Sequence, residues 1–215
     1  MSTFYRESFT CAVCGKEDQY GVVGSTNAFG SADLDLRPPE MERSTMPAWV
    51  QQCPRCGYAA ECVDRPTTVT IEFLKRPEYL SCDGIEFRSG LAARFYRQYM
   101  VGLHDNDKQT AFNALLHAAW ACDDSEDSVN ATACRLKSLP ILTELISTET
   151  ENADTLRLMK ADIMRRAGLF EELKAEYAGV SFTEELLNKI LAFQLARAEE
   201  GDRGCYRVID VDRGA

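Results

Sequence analysis

The hydrophobic positions change period along the chain. From about Ser89 onward they recur every three to four residues, the spacing of one buried helix face. Leu91, Phe95, Tyr99 and Leu103 mark a first helix, and Phe112, Leu115, Leu116, Ala119 and Trp120 a second, opened by Asp105-Asn-Asp107. Val129, Ala133, Leu136, Leu139 and Leu142 predict a third, with Ser125 or Ser128 as N-cap and Pro140 as a kink or break. Leu156, Met159, Ile163 and Met164 give a fourth that ends at Gly168, and Glu171 to Tyr177 a short fifth. Ser181-Phe-Thr-Glu184 matches a capping box opening a sixth, through Leu187, Leu191, Leu195 and Ala198 to Gly201. Short connections between such helices predict antiparallel hairpins.

Before Ser89 the pattern is different. Tyr20-Gly-Val-Val-Gly24 reads as a strand, Asp33 to Pro39 as an extended edge segment closed by a diproline, and Ala48 to Gln52 as another strand. Residues 67–76, TTVTIEFLKR, fit a strand or a short helix ended by Pro77, with helix preferred. The expected fold class is α+β, a small β-rich zinc ribbon followed by a mainly α-helical domain of hairpins. The expected divisions are 1–66 for the ribbon, 67–88 for a connection, 89–200 for the helices and 201–215 for a tail that is a short strand or a docked extension. Trp49 and Trp120 are expected to be buried, Trp49 over the metal site or against the helices.

Chemistry enters with the nine cysteines. Four of them form two pairs, Cys11-Ala-Val-Cys14-Gly15 and Cys53-Pro-Arg-Cys56-Gly57. In a C-x-x-C-G turn the two sulfurs converge, and the glycine permits the left-handed backbone that so tight a turn needs. Two such turns make a tetrahedral four-sulfur site suited to zinc or to a single iron. The expected cofactor is one Zn²⁺ per chain held by Cys11, Cys14, Cys53 and Cys56, with rubredoxin-like iron or a redox-active dithiol as the alternatives. Four thiolates close the coordination sphere, which argues against a catalytic zinc. The 38 residues between the pairs exceed the roughly 15–20 of compact zinc sites. Loop closure tolerates this, since each doubling of a loop costs only about 0.6 kcal/mol. The other five cysteines lack ligand spacing and read as small core residues, Cys62 being the spare nearest the metal turns.

Residues Leu158 to Tyr177 resemble one tetratricopeptide unit, on small Ala161, the Gly168-x-Phe170 turn and Tyr177, with a departure at Leu173. Together with the two cysteine pairs, Asp33-Leu-Asp35, Tyr58-Ala-Ala60 and Leu116-His-Ala-Ala-Trp120, the chain resembles a bacterial family of unknown function. In that family a zinc-ribbon-like N-terminus precedes tetratricopeptide-like helices. The resemblance implies a fold and a metal but no reaction.

Charge narrows the function classes. The chain carries 24 Lys and Arg against 34 Asp and Glu, a formal net charge of -10. Residues 1–88 hold nine basic and thirteen acidic side chains, so neither half offers the basic field that supplies most nucleic-acid affinity. No apolar run approaches the roughly 18 residues of a membrane helix, and no secretion signal is visible, so a cytoplasmic location is expected. The two histidines lack metal spacing, His117 reads as a packed residue, and Gly21-Val-Val-Gly24-Ser-Thr lacks the lysine of a phosphate loop. The expectation is a binding protein rather than an enzyme, docking an unidentified protein partner on its helical surface, with Arg165 and Arg166 as the partner-binding residues.

Overall fold

The computed structural model describes residues 1–149 and 151–211. Two antiparallel hairpins begin the chain: β1 (Thr3–Thr10) with β2 (Glu17–Ser25), and the very short β3 (Gln51–Gln52) with β4 (Ala59–Ala60). Of the strand expected at Ala48–Gln52 only Gln51–Gln52 forms, as β3; Ala48 ends a 3₁₀ turn at Arg43–Ala48. The Thr67–Arg76 segment takes the helical alternative, but only for one turn. This is α1 (Ile71–Leu74), capped by the Thr70 hydroxyl, which accepts from the Phe73 N–H. Pro77 opens the next turn, α2 (Pro77–Leu80), because a proline at the first helical position forfeits no hydrogen bond. The long helices are α3 (Gly90–His104), α4 (Lys108–Asp124), α5 (Ser128–Thr148), α6 (Ala153–Ala167), α7 (Phe170–Tyr177) and α8 (Glu185–Glu199). The α+β class holds.

Helix ends follow local chemistry. Ser89 caps α3, and the Asp107 carboxylate accepts from the Thr110 N–H to cap α4. Asp127, rather than Ser125 or Ser128, precedes α5 and accepts from Asn130. Pro140 lies inside α5 without ending it. The capping box at Ser181 does not form: α8 starts at Glu185, and the Asn188 side chain holds the preceding loop through both the N–H and the carbonyl of Phe182. An amide can satisfy both groups at once, which the Ser181 hydroxyl, one turn too early, does not.

The chain divides into two compact units that are not consecutive segments. Unit 1 comprises Met1–Asn27 and Ser44–Cys134; unit 2 comprises Ala28–Arg43 and Arg135–Ala215. The expected boundary between a ribbon at 1–66 and helices from 89 therefore does not hold. In unit 1 the cysteine hairpins share a core with α3, built from Cys11, Cys53, Tyr58, Val63, Val69, Leu74, Tyr79 and Val101. Asp105, which follows α3, accepts from the hydroxyls of Thr67 and Thr68, and Arg65 pairs with Asp107 at 2.8 Å. Helices α3 and α4 pack closely: a Cβ on Gly102 would lie 2.8 Å from the Ala111 nitrogen. Trp49 packs its ring on His117, 5.1 Å between centroids, and His117 also meets Phe95 and Trp120. Trp120 is buried, but Trp49 is only partly so.

In unit 2 the segment Ala28–Arg43 is not a free edge strand. Asp33 bridges to Arg207, the Leu34 N–H donates to the Tyr206 carbonyl, and Val208 donates to Ala32. The tail is thus a docked extension as far as Val211; residues 212–215 lie outside the described residues. Helices α6, α7 and α8 pack pairwise around Leu158, Leu173, Tyr177, Ile190 and Leu191, with Leu34 in the same core. Gly168 turns α6 into α7 at a φ of 84°, as the sequence requires. Leu173, where a tetratricopeptide unit carries a small residue, is fully buried and serves as core.

Candidate metal centre

Each cysteine pair sits at the tip of a hairpin, and the two tips are built alike. The last ladder pairs are Thr10 with Glu17 and Gln52 with Ala59. One step further on, Cys11 N–H donates to Lys16 and Cys53 N–H donates to Tyr58. Gly15 N–H then returns to the Cys11 carbonyl and Gly57 N–H to that of Cys53, both at 2.9 Å. Gly15 and Gly57 adopt φ values of 69° and 79°, the left-handed conformation that only glycine takes without cost. The repeated turn aims both sulfurs of a pair to the same side.

The two tips then face each other. Cys11 Sγ lies 3.7 Å from Cys56 Sγ, and Cys14 Sγ lies 3.6 Å from Cys53 Sγ. All four sulfurs lie within 4.8 Å of one another. A tetrahedron with metal–sulfur bonds of about 2.3 Å has sulfur–sulfur edges of about 3.8 Å. The separations match those edges and are far too long for disulfides, whose sulfurs stand about 2.0 Å apart. The donor set and its spacing fit a metal ion such as zinc or iron. Cys11 and Cys53 are buried, whereas Cys14 and Cys56 are half-buried and border a groove that also carries Arg55, Lys75 and Leu80.

The protein alone opposes ionising two of the four thiols. Burial pushes the Cys11 and Cys56 thiols up, against opposing backbone hydrogen bonds. Cys14 goes the other way: burial acts on it too, but the Lys16 backbone and the neighbouring thiols bring it below its ordinary value. Ligation needs thiolates, so a bound cation is what makes the deprotonated cluster favourable.

Comparison with protein-family models, with curated proteins and with solved structures found no match for this chain. Of the expected family likeness, the four-cysteine cluster and a mostly helical domain are present.

The remaining cysteines stay apart from the centre. Cys62 is half-buried and outside the four-sulfur group, its thiol pushed up to about 11 by burial and by Asp64. Cys82, Cys122 and Cys134 are buried, as small core residues are. Cys205 departs from that expectation: it is exposed, and its sulfur lies 3.3 Å from an Asp33 carboxylate oxygen.

Arg165 and Arg166 are not surface residues, and their assignment as a partner-binding pair is corrected. Arg165 is wholly buried, with Nη2 2.7 Å from Asp162, Nε 2.5 Å from Gln194, and carbonyls of Asp202 and Gly204 completing its set. Arg166 is 7% exposed and pairs with Asp35 at 2.7 Å. These arginines hold the tail and the Ala28–Arg43 segment within unit 2. A helical pattern shows a polar pair at 165 and 166; their partners, up to 131 residues away in sequence, leave no local signal.

Proposed function

We propose that the chain is a zinc-binding protein, in which one Zn²⁺ held by Cys11, Cys14, Cys53 and Cys56 staples the two hairpins of unit 1. The observation that carries this is the pair of like-built C-x-x-C-G tips whose sulfurs stand at tetrahedral edge lengths. Four sulfurs leave no open position for water or substrate, so the centre is structural. Zinc is preferred to iron as the usual metal of a closed four-thiolate structural site. The protein purified aerobically from its own host is expected to contain about one zinc per chain and to be colourless. A red protein with stoichiometric iron would instead establish the rubredoxin-like alternative.

The reading extends to a role in binding another protein, on a surface presented by the helices, in the cytoplasm. What supports it is Val129 on α5, an apolar side chain that is 77% exposed. An exposed apolar side chain on a helix suits docking of a partner helix or extended segment. A partner recovered with the tagged wild type should be lost with Val129→Glu at unchanged thermal stability. Equal recovery would remove α5 from the account.

A further inference from the structure

We propose that unit 1 carries a second site, a pocket for a small organic monoacid, in which Arg94 binds the carboxylate. The pocket is a cavity of about 340 Å³ lined by the first hairpin, the turn before β3, and α3. That volume falls at the lower end of the roughly 300–1,000 Å³ of small-molecule sites.

Its composition sets the ligand class. In a chain with 34 acidic side chains, no Asp or Glu among the described residues lines the cavity, and Arg94 is the only charged one of them that does. Arg94 is half-buried and makes no hydrogen bond or ion pair among the described residues. Burial lowers its pKa, the mark of a guanidinium that has lost water without gaining a counter-ion. An unpaired, partly desolvated cation is costly, and an anion placed beside it removes that cost. The cavity's amides are each engaged at one end: the Gln51 oxygen accepts from Val63, and the Gln52 nitrogen donates to Gly57. Beside the Arg94 guanidinium, the polar functions these bonds leave over are the Gln51 amide nitrogen and the Gln52 amide oxygen, both neutral. The Tyr20 hydroxyl is buried with no hydrogen-bond partner.

A single guanidinium matches one negative charge, and its planar fork fits a carboxylate. A phosphate dianion would keep an unmatched charge in a wall with no second cation. Phe4, which is 55% exposed, together with Pro47 offers apolar surface to the body of the ligand. The ligand is thus a carboxylate on a compact apolar or aromatic body. No sulfur lines the cavity, but Gln51 and Gln52 of its wall lead directly into Cys53, so the site is tested on the metal-loaded chain.

The test titrates the full metal-loaded chain with 3-phenylpropionate, its neutral amide and inorganic phosphate, followed by protein NMR. Saturable shifts centred on Ala48, Gln52 and Arg94 are expected with the acid. The neutral amide should bind at least about tenfold more weakly, the scale of one lost charge-assisted hydrogen bond. Phosphate should produce no saturable shift there. Arg94→Gln should weaken the acid by the same factor, while Lys189→Gln, an exposed cation of unit 2, should leave it unchanged. If Arg94→Gln fails to fold, Arg94→Lys keeps the charge and should retain binding, more weakly than arginine because the fork is lost. No saturable shift up to millimolar acid, equal affinity for acid and amide, phosphate binding as tight as the acid, or shifts centred elsewhere would each overturn the proposal.

Discussion

Replacing Cys53 with serine is expected to strip the metal from the chain and unfold the paired hairpins with it. Cys53 is nearly inaccessible, its sulfur faces Cys14 at 3.6 Å, and its N–H anchors the second tip to Tyr58. Structural zinc sites contribute roughly 10–16 kcal/mol of apparent free energy, much of it as folding energy. A strand pair of two residues a side, such as β3 with β4, has little else to hold it. The loss should reach the shared core, where the Tyr79 hydroxyl donates to the Gly57 carbonyl at 2.8 Å within the same turn. Zinc content near zero and loss of the tyrosine near-ultraviolet circular dichroism are expected, with most far-ultraviolet helix signal retained. A chelator should reproduce both changes in the wild type. A Cys53→Ser protein with a full complement of metal would count against the four-sulfur site.

The second large effect is expected in unit 2. Arg165→Leu removes the cation 2.7 Å from the Asp162 carboxylate and takes a donor from two partly buried backbone carbonyls. Burial already pushes the Asp162 carboxyl up, so the orphaned acid pays further for its charge. Breaking a buried ion pair from one side costs about 3–5 kcal/mol. In a chain of this length that corresponds to a fall in melting temperature on the order of 10 °C. The double variant Asp162→Leu with Arg165→Leu should recover part of the loss, because no uncompensated charge is left inside. An exposed docking arginine would behave differently, its removal changing stability by well under about 1 kcal/mol. A melting temperature unchanged by Arg165→Leu would therefore restore the surface role that the structure takes from this residue.

What the sequence reveals follows the range over which each signal acts. The cysteine turns are local: spacing plus the following glycine dictates a tip geometry, and both tips adopt it. The helices α3, α4, α6 and α7 are legible from periodicity, with Ser89, Asp107 and Gly168 where caps and turns demand them. The first strand is hidden because Thr3–Thr10 is almost wholly exposed, so no hydrophobic alternation marks it. The long gap between the cysteine pairs has a physical reason that spacing alone conceals. Its middle, Ala28–Arg43, belongs to unit 2, where Asp35 meets Arg166 and Asp33 meets Arg43 and Arg207. The Asp33-Leu-Asp35 motif thus marks a buried ion-pair segment rather than an edge strand, and its tail and α6 partners lie far along the chain. The same distance explains why Arg165 and Arg166 read as surface charge. A hydrophobic period identifies which face of a helix is apolar, but not which polar residues are buried with a partner.

The four-sulfur centre is tested most directly by X-ray absorption on the purified full-length protein. The account predicts a zinc edge and a single shell of four sulfurs at about 2.3 Å, with no nitrogen or oxygen neighbour. An iron edge would contradict zinc as the metal, and a shell with fewer than four sulfurs would contradict the site itself.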